Sequence, residues 1–126
     1  MAQKYNFDIN KLLKLQRQFV KEREWDIFHT PKNLSMALVG EAGELVEIFQ
    51  WLTAEESFDV MKDPKKATQI RHELADILYY TLRIADRLEV DLEKSMMDKL
   101  KQNAKRYPVK LSKGNAKKYT ELKSRE

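Results

Sequence analysis

The chain has 126 residues, a mass of 15.0 kDa, no cysteine, three glycines and three prolines. That length suits one domain with a modest core, which association with further copies would help to stabilise. The lack of cysteine excludes disulfides, thiolate zinc sites and a cysteine nucleophile, while Gly40, Gly43 and Gly114 are too scattered for a phosphate-cradling loop or a dinucleotide fingerprint. No apolar run approaches the roughly 18 residues of a membrane span and no signal peptide is expected. With 35% charged residues the composition fits a soluble cytoplasmic protein. The net charge of +4 is unevenly placed: residues 1–98 carry 14 Lys/Arg and 18 Asp/Glu, a balance of −4, and residues 99–126 carry 10 and 2, a balance of +8. An acidic body with a basic end suits a nucleic-acid tail, or a body whose acids hold a metal and whose basic end meets an anion.

Four segments show helical periodicity and none of useful length alternates with period two. The first is predicted from about Asp8, an N-cap, to Glu24, with Ile9, Leu12, Leu13, Gln16, Phe19 and Val20 on one stripe. Pro31 disfavours helix at Thr30 and suits the first turn of a second helix, which runs to Trp51 or Leu52. A polar stretch from Thr53 to Pro64 follows. The third helix is predicted from Pro64 to Leu88, and the fourth, capped by Asp91, ends near Arg106 before Pro108. The architecture expected is all-α and four-helix-bundle-like, with residues 1–106 as the helical domain and 107–126 as a basic C-terminal tail, extended or partly ordered.

The second helix carries acids where a core should be. Steps of four and three from Leu34 reach Leu38, Glu41, Leu45, Ile48 and Leu52, a bundle seam with a glutamate inside it, and Glu44 lies one turn on. The third repeats the pattern: Glu73, Ile77, Tyr80 and Ile84 form an interior stripe, with Asp76 three residues after Glu73. Four carboxylates gathered in a partly buried site are unfavourable unless a cation sits among them. All-oxygen ligands suit Mg²⁺, with Mn²⁺ as a substitute. His72-Glu73-Leu74-Ala75-Asp76 lacks the second histidine of a zinc HExxH pair, and no Glu-x-x-His pair of a di-iron bundle occurs. A single acid-x-x-acid pair is common on solvated helices; two, each beside a seam, favour a metal site. Gly40 and Gly43 weaken a helix interior by roughly 1 kcal/mol each relative to Ala, which suits close approach by another backbone or a phosphate, or tight helix packing.

On the fourth helix Leu92, Met96, Lys99, Asn103 and Arg106 form a stripe that turns cationic. Lys99 and Arg106 suit phosphate oxygens and Asn103 a sugar or phosphate; a solvated, dipole-favoured helix end is the alternative. Trp25 and Phe28 suit packing. Trp51 and His29 suit stacking on a nucleobase, and core packing accounts for Trp51 as well.

Glu41-Ala42-Gly43-Glu44 with Glu73-Leu74-Ala75-Asp76 resembles the paired motif of the MazG-like all-α nucleoside triphosphate pyrophosphohydrolases. Phe28-His29-Thr30-Pro31-Lys32-Asn33-Leu34, Phe49-Gln50-Trp51 and Asn103-Ala104-Lys105-Arg106-Tyr107-Pro108-Val109 are similar to the dCTP pyrophosphatase branch, over about Phe7 to Leu122. The resemblance implies a MazG-type fold and Mg²⁺-dependent hydrolysis of a nucleoside triphosphate, dCTP or a modified pyrimidine analogue, to monophosphate and pyrophosphate, in keeping the nucleotide pool clean. It implies metal ligation by Glu41, Glu44, Glu73 and Asp76, with Glu41 and Glu44 as candidate bases. It implies base and sugar contacts from His29, Trp51 and Tyr80, and phosphate or sugar contacts from Lys99, Asn103, Arg106 and Tyr107. It further implies a homodimer or homotetramer with sites between subunits, and neither a nucleic-acid nor a membrane partner. A nucleic-acid-binding or helical dimerisation module is the non-catalytic alternative.

Overall fold

The computed structural model describes residues 4–122, and among them there are helices and no strands. The long helices are α1 (Ile9–Glu22), α2 (Pro31–Phe49), α4 (Pro64–Arg87) and α5 (Leu92–Arg106); α3 (Ala54–Phe58) and α6 (Val109–Ser112) are short, and single 3₁₀ turns occupy Val60–Lys62 and Tyr119–Glu121. The starts of the long helices follow from their caps. The side chains of Asp8, Thr30, Asp63 and Asp91 each accept a hydrogen bond from a backbone N–H of the first turn, and Pro31 and Pro64 stand where an N–H has no helical partner. The polar stretch from Thr53 to Pro64 contains α3, because Thr53 and Glu56 form a reciprocal capping box with both bonds at 3.1 Å.

The chain forms two compact units, Met1–Glu89 and Val90–Glu126. In the first, α2 and α4 make the main packing pair and α1 rests on α4. The C-terminal half of α2 (Glu44, Glu47, Ile48) shares a cavity with the N-terminal half of α4 (Lys66, Gln69, Glu73), so the two run antiparallel. Val20, Leu34, Val60, Ala67, Ile70, Leu82 and Ala85 are buried. Gln16 joins α1 to α4 by donating from Nε2 to the Tyr79 carbonyl at 2.8 Å, and Arg17 Nε donates to Asp86 at 2.9 Å. Leu38, Leu45, Ile77 and Ile84 are only half-buried, and Phe28, expected to pack, is exposed.

In the second unit the segment after Arg106 is not extended. Tyr119 meets Tyr107 edge to face at 6.3 Å, and the Arg106 guanidinium lies 4.6 Å over the Tyr119 ring. Residues 107–122 therefore return to the end of α5.

Candidate metal and nucleotide site

Because α2 and α4 lie side by side, their acidic positions meet. Glu41, Glu73 and Asp76 each offer a carboxylate oxygen within 4.8 Å of the others. That span is close to twice a metal–oxygen bond of about 2.1–2.4 Å, so one divalent cation can touch all three. As carboxylates, neither Glu41 Oε2 nor Glu73 Oε2 has a donor, although both atoms are buried. Two things resolve such a clash: a shared proton or a cation. Without metal the proton wins, and Glu41 is pushed up to about 7, chiefly by its hydrogen bond with Glu73, then by burial and by Glu44 and Asp76. The oxygen-only donors, the spacing and the orphaned oxygens fit Mg²⁺ or Mn²⁺. Glu44 stands outside the trio. It is exposed, one turn beyond Glu41, at the wall of the adjoining cavity.

That cavity has a volume of about 520 Å³ and is lined by Glu44, Glu47, Ile48, Trp51, Leu52, Lys66, Gln69 and Glu73. Of the expected contacts it holds Trp51, which is 87% exposed and so is not a core residue. Lys66, Gln69 and Glu47 are additions. The first two were legible as steps of four and three back from Glu73, on its own face of α4.

On the other side of the acids, Tyr80 lies one turn beyond Asp76. Burial raises its phenol pKa, and Glu41 and Asp76 add to the shift. One turn further is Arg83, 3% exposed, which the sequence reading passed over because an arginine in an apolar stripe looks like a surface residue. Arg83 pairs with Asp26 and with Asp86, and its Nε donates to His29 Nδ1 at 3.3 Å. That bond leaves the His29 proton on Nε2. Burial lowers the His29 pKa, and Arg83 and Arg87 lower it further against the opposing pull of Asp26. His29 is thus a neutral donor at ordinary pH.

His29 and Trp51 do not meet. They flank opposite ends of α2, whose 19 residues span about 28 Å. Lys99, Asn103, Arg106 and Tyr107 belong to the second unit. There Lys99, Asn103 and Arg106 follow one face of α5, Asn103 and Arg106 are half-buried, and Lys99 Nζ donates to Gln102 at 3.0 Å.

Comparisons with a family model, with curated proteins and with solved structures agree. The model of the MazG-like family matches residues 37–122. The chain is 44% identical over 114 residues to dCTP pyrophosphatase 1 of Bos taurus, covering 90% of this chain and 68% of that one, and 40% identical to the Homo sapiens protein of the same name, covering 90% and 67%. Among solved structures, a pyrophosphatase from Archaeoglobus fulgidus superposes with a TM-score of 0.75 at 32% identity, over 86% of this chain and 99% of that one.

Proposed function

The chain belongs to the MazG-like family, and on that premise we propose that it is a divalent-metal-dependent nucleotide pyrophosphohydrolase that converts dCTP, or a closely related pyrimidine nucleotide, to the monophosphate and pyrophosphate. The observation that carries this is the trio Glu41, Glu73 and Asp76, with two orphaned buried oxygens, at the head of a cavity. A nucleic-acid or dimerisation module gives that cluster no task, whereas a divalent cation would offset its cost even at a pH where the shared proton is lost. Cytosine as the favoured base rests on the relatives' names.

Glu41, Glu73 and Asp76 hold the cation, Mg²⁺ or Mn²⁺, with Glu44 at their edge. The bound cation supplies charge neutralisation on the phosphate oxygens. The residues do the rest. Glu44, outside the trio and open to the cavity, takes a proton from the attacking water. The new P–O bond forms as the α–β phosphoanhydride breaks, and its electron pair leaves on the bridging oxygen of pyrophosphate. Tyr80 and the neutral Nε2–H of His29 face the nucleoside, and Trp51 stacks on a base. Lys99, Asn103, Arg106 and Tyr107 meet phosphate or sugar oxygens. Apart from Tyr107, every contact proposed lies within residues 1–106.

One base cannot touch His29 and Trp51 of the same chain, so the site requires a second copy. The surface for it is on α2, where Met36, Val39 and Val46 are exposed at helical spacing together with Gly40 and Gly43, whose missing Cβ atoms would meet nothing within 4 Å. Among the described residues neither glycine packs inside the chain, and we propose a homodimer, alone or paired into a tetramer. No helix among the described residues is long and apolar enough to cross a membrane, which accords with a cytoplasmic enzyme that cleanses the nucleotide pool. The deciding assay incubates the protein with each common NTP and dNTP plus Mg²⁺ and separates the products. Monophosphate with intact pyrophosphate is expected, fastest from dCTP; nucleoside diphosphate with orthophosphate would refute the assignment.

A further inference from the structure

We propose that Lys66, with Gln69 beside it, is the binding site for the departing pyrophosphate, so that the nucleotide lies along α4 with its β- and γ-phosphates toward the start of that helix. The inference rests on the pyrophosphohydrolase assignment and adds a direction to it.

Lys66, Gln69, Glu73, Asp76, Tyr80 and Arg83 follow one face of α4 at steps of three and four. The acids stand in the middle of that row. On one side the row continues through Tyr80 to Arg83, whose Nε donates to His29 Nδ1 and whose charge is taken up by acids. On the other it ends in Gln69 and Lys66, on the wall of the open cavity that also carries Ile48, Trp51 and Leu52. A triphosphate is polyanionic, so its outer phosphates point toward the end of the row that carries Lys66, a cation free of ion pairs among the described residues.

Charge bears this out. A substrate carrying about four negative charges faces carboxylates that a single divalent cation does not offset. Arg83 and Arg87 lie by Asp26, and Arg83 also by Asp86. Lys62 is paired with Asp59. Lys66 is the sole cation on the cavity wall, half-buried and without an ion pair among the described residues. Seven residues, about 10 Å of helix rise, separate it from Glu73. Its flexible four-carbon stem covers part of that gap and the two outer phosphates the rest. The Gln69 amide, one turn from Glu73, supplies a neutral donor between them. When the phosphoanhydride breaks, the negative charge that develops on the bridging oxygen moves toward an ammonium already in place, and no proton need be transferred to it.

The direction also fixes which copy uses Trp51. At the phosphate end of its own site Trp51 has no base to stack on, so it serves the base of the neighbouring copy.

Product inhibition separates the two halves of the substrate. In the metal-loaded enzyme, Lys66→Met should raise the inhibition constant of pyrophosphate about 10- to 100-fold, the loss expected of one charged hydrogen bond, and leave that of dCMP within about twofold. Lys66→Arg should restore most of the difference. Lys65→Met, at an exposed neighbour off the cavity wall, should change neither and controls for net charge. Unaltered pyrophosphate inhibition in Lys66→Met, equal weakening of dCMP, or the same effect from Lys65→Met would overturn the inference. Wild-type protein that yields no pyrophosphate from any nucleotide would instead refute the enzymatic assignment on which it rests.

Discussion

At Glu41 a single proton stands in for a metal ion. Its carboxyl is raised to about 7 in the folded chain, against about 4.3 in an unfolded one. The folded state therefore binds more protons between those values, and the metal-free protein loses stability as pH rises from about 4.3 through about 7. Glu41→Gln removes the penalty. At pH 8 without metal it should melt about 3–6 °C higher than the wild type, while the gain the wild type makes on adding Mg²⁺, about 2.7 kcal/mol at one hundred times the dissociation constant, should largely vanish. Thermal melts with chelator and with Mg²⁺ measure both. His29 works with the opposite sign. Its folded pKa is lowered, so the stability it contributes is complete above about 6.5 and is lost as pH falls through the window beneath. Arg83→Gln removes both the Nδ1 donor and the nearest cation. The His29 pKa should rise and its proton distribute between both nitrogens, as nitrogen-detected NMR would record. Asp86 keeps Arg17 and the exposed Asp26 keeps Arg87, so the loss of their shared partner should lower stability by only about 1 kcal/mol.

Among the elements, α2 and α4 were legible because their cues are local: a cap, a proline, and acids at steps of three and four. The positions of Glu41, Glu44, Glu73 and Asp76 on facing helices follow from that periodicity alone. Helix α3 is not legible as periodicity because it has only five residues; its one cue in the polar stretch is the Thr53–Glu56 capping box. Arg83 was not legible, since its burial depends on Asp26 and Asp86 converging from distant positions. Gly40 and Gly43 were visible as weak points of a helix, but not which side of the chain they served. Nothing among the described residues lies near them, and in the proposed dimer their use is between chains. Gly40→Leu should leave the helical circular dichroism intact and raise the dissociation constant of the assembly about tenfold or more, read by light scattering across a dilution series; Gly40→Ala adds only helix propensity to a lone chain, up to about 1 kcal/mol.

At the scale of the whole molecule the charge is split between an acidic body and a basic end. Of the two forms expected for the segment after Arg106, extended or partly ordered, it takes the ordered one over residues 107–122, with the Arg106 guanidinium over the Tyr119 ring. Whether the acids of one chain work with the Trp51 of another, as proposed, is tested by mixing two disabled proteins. Glu44→Gln lacks the base and Trp51→Ala lacks the stacking ring. A mixed dimer holds one site with intact acids from one chain and an intact tryptophan from the other. Subunit exchange should recover a sizeable part, up to about half, of the wild-type rate in each mixed dimer. If Trp51 acted within its own chain, mixing would recover nothing.

The exposure of Trp51 has an optical consequence. The chain has two tryptophans, and Trp51 stands 87% open to solvent while Trp25 is 41% open and held between Phe19 and His29. An indole emits at longer wavelength in water than in an apolar contact, so light from Trp51 should shift to the blue as copies assemble and dim when a base stacks on it. Trp25 remains as an internal reference. The protein thus carries its own fluorescent gauge of assembly and occupancy, usable without a label.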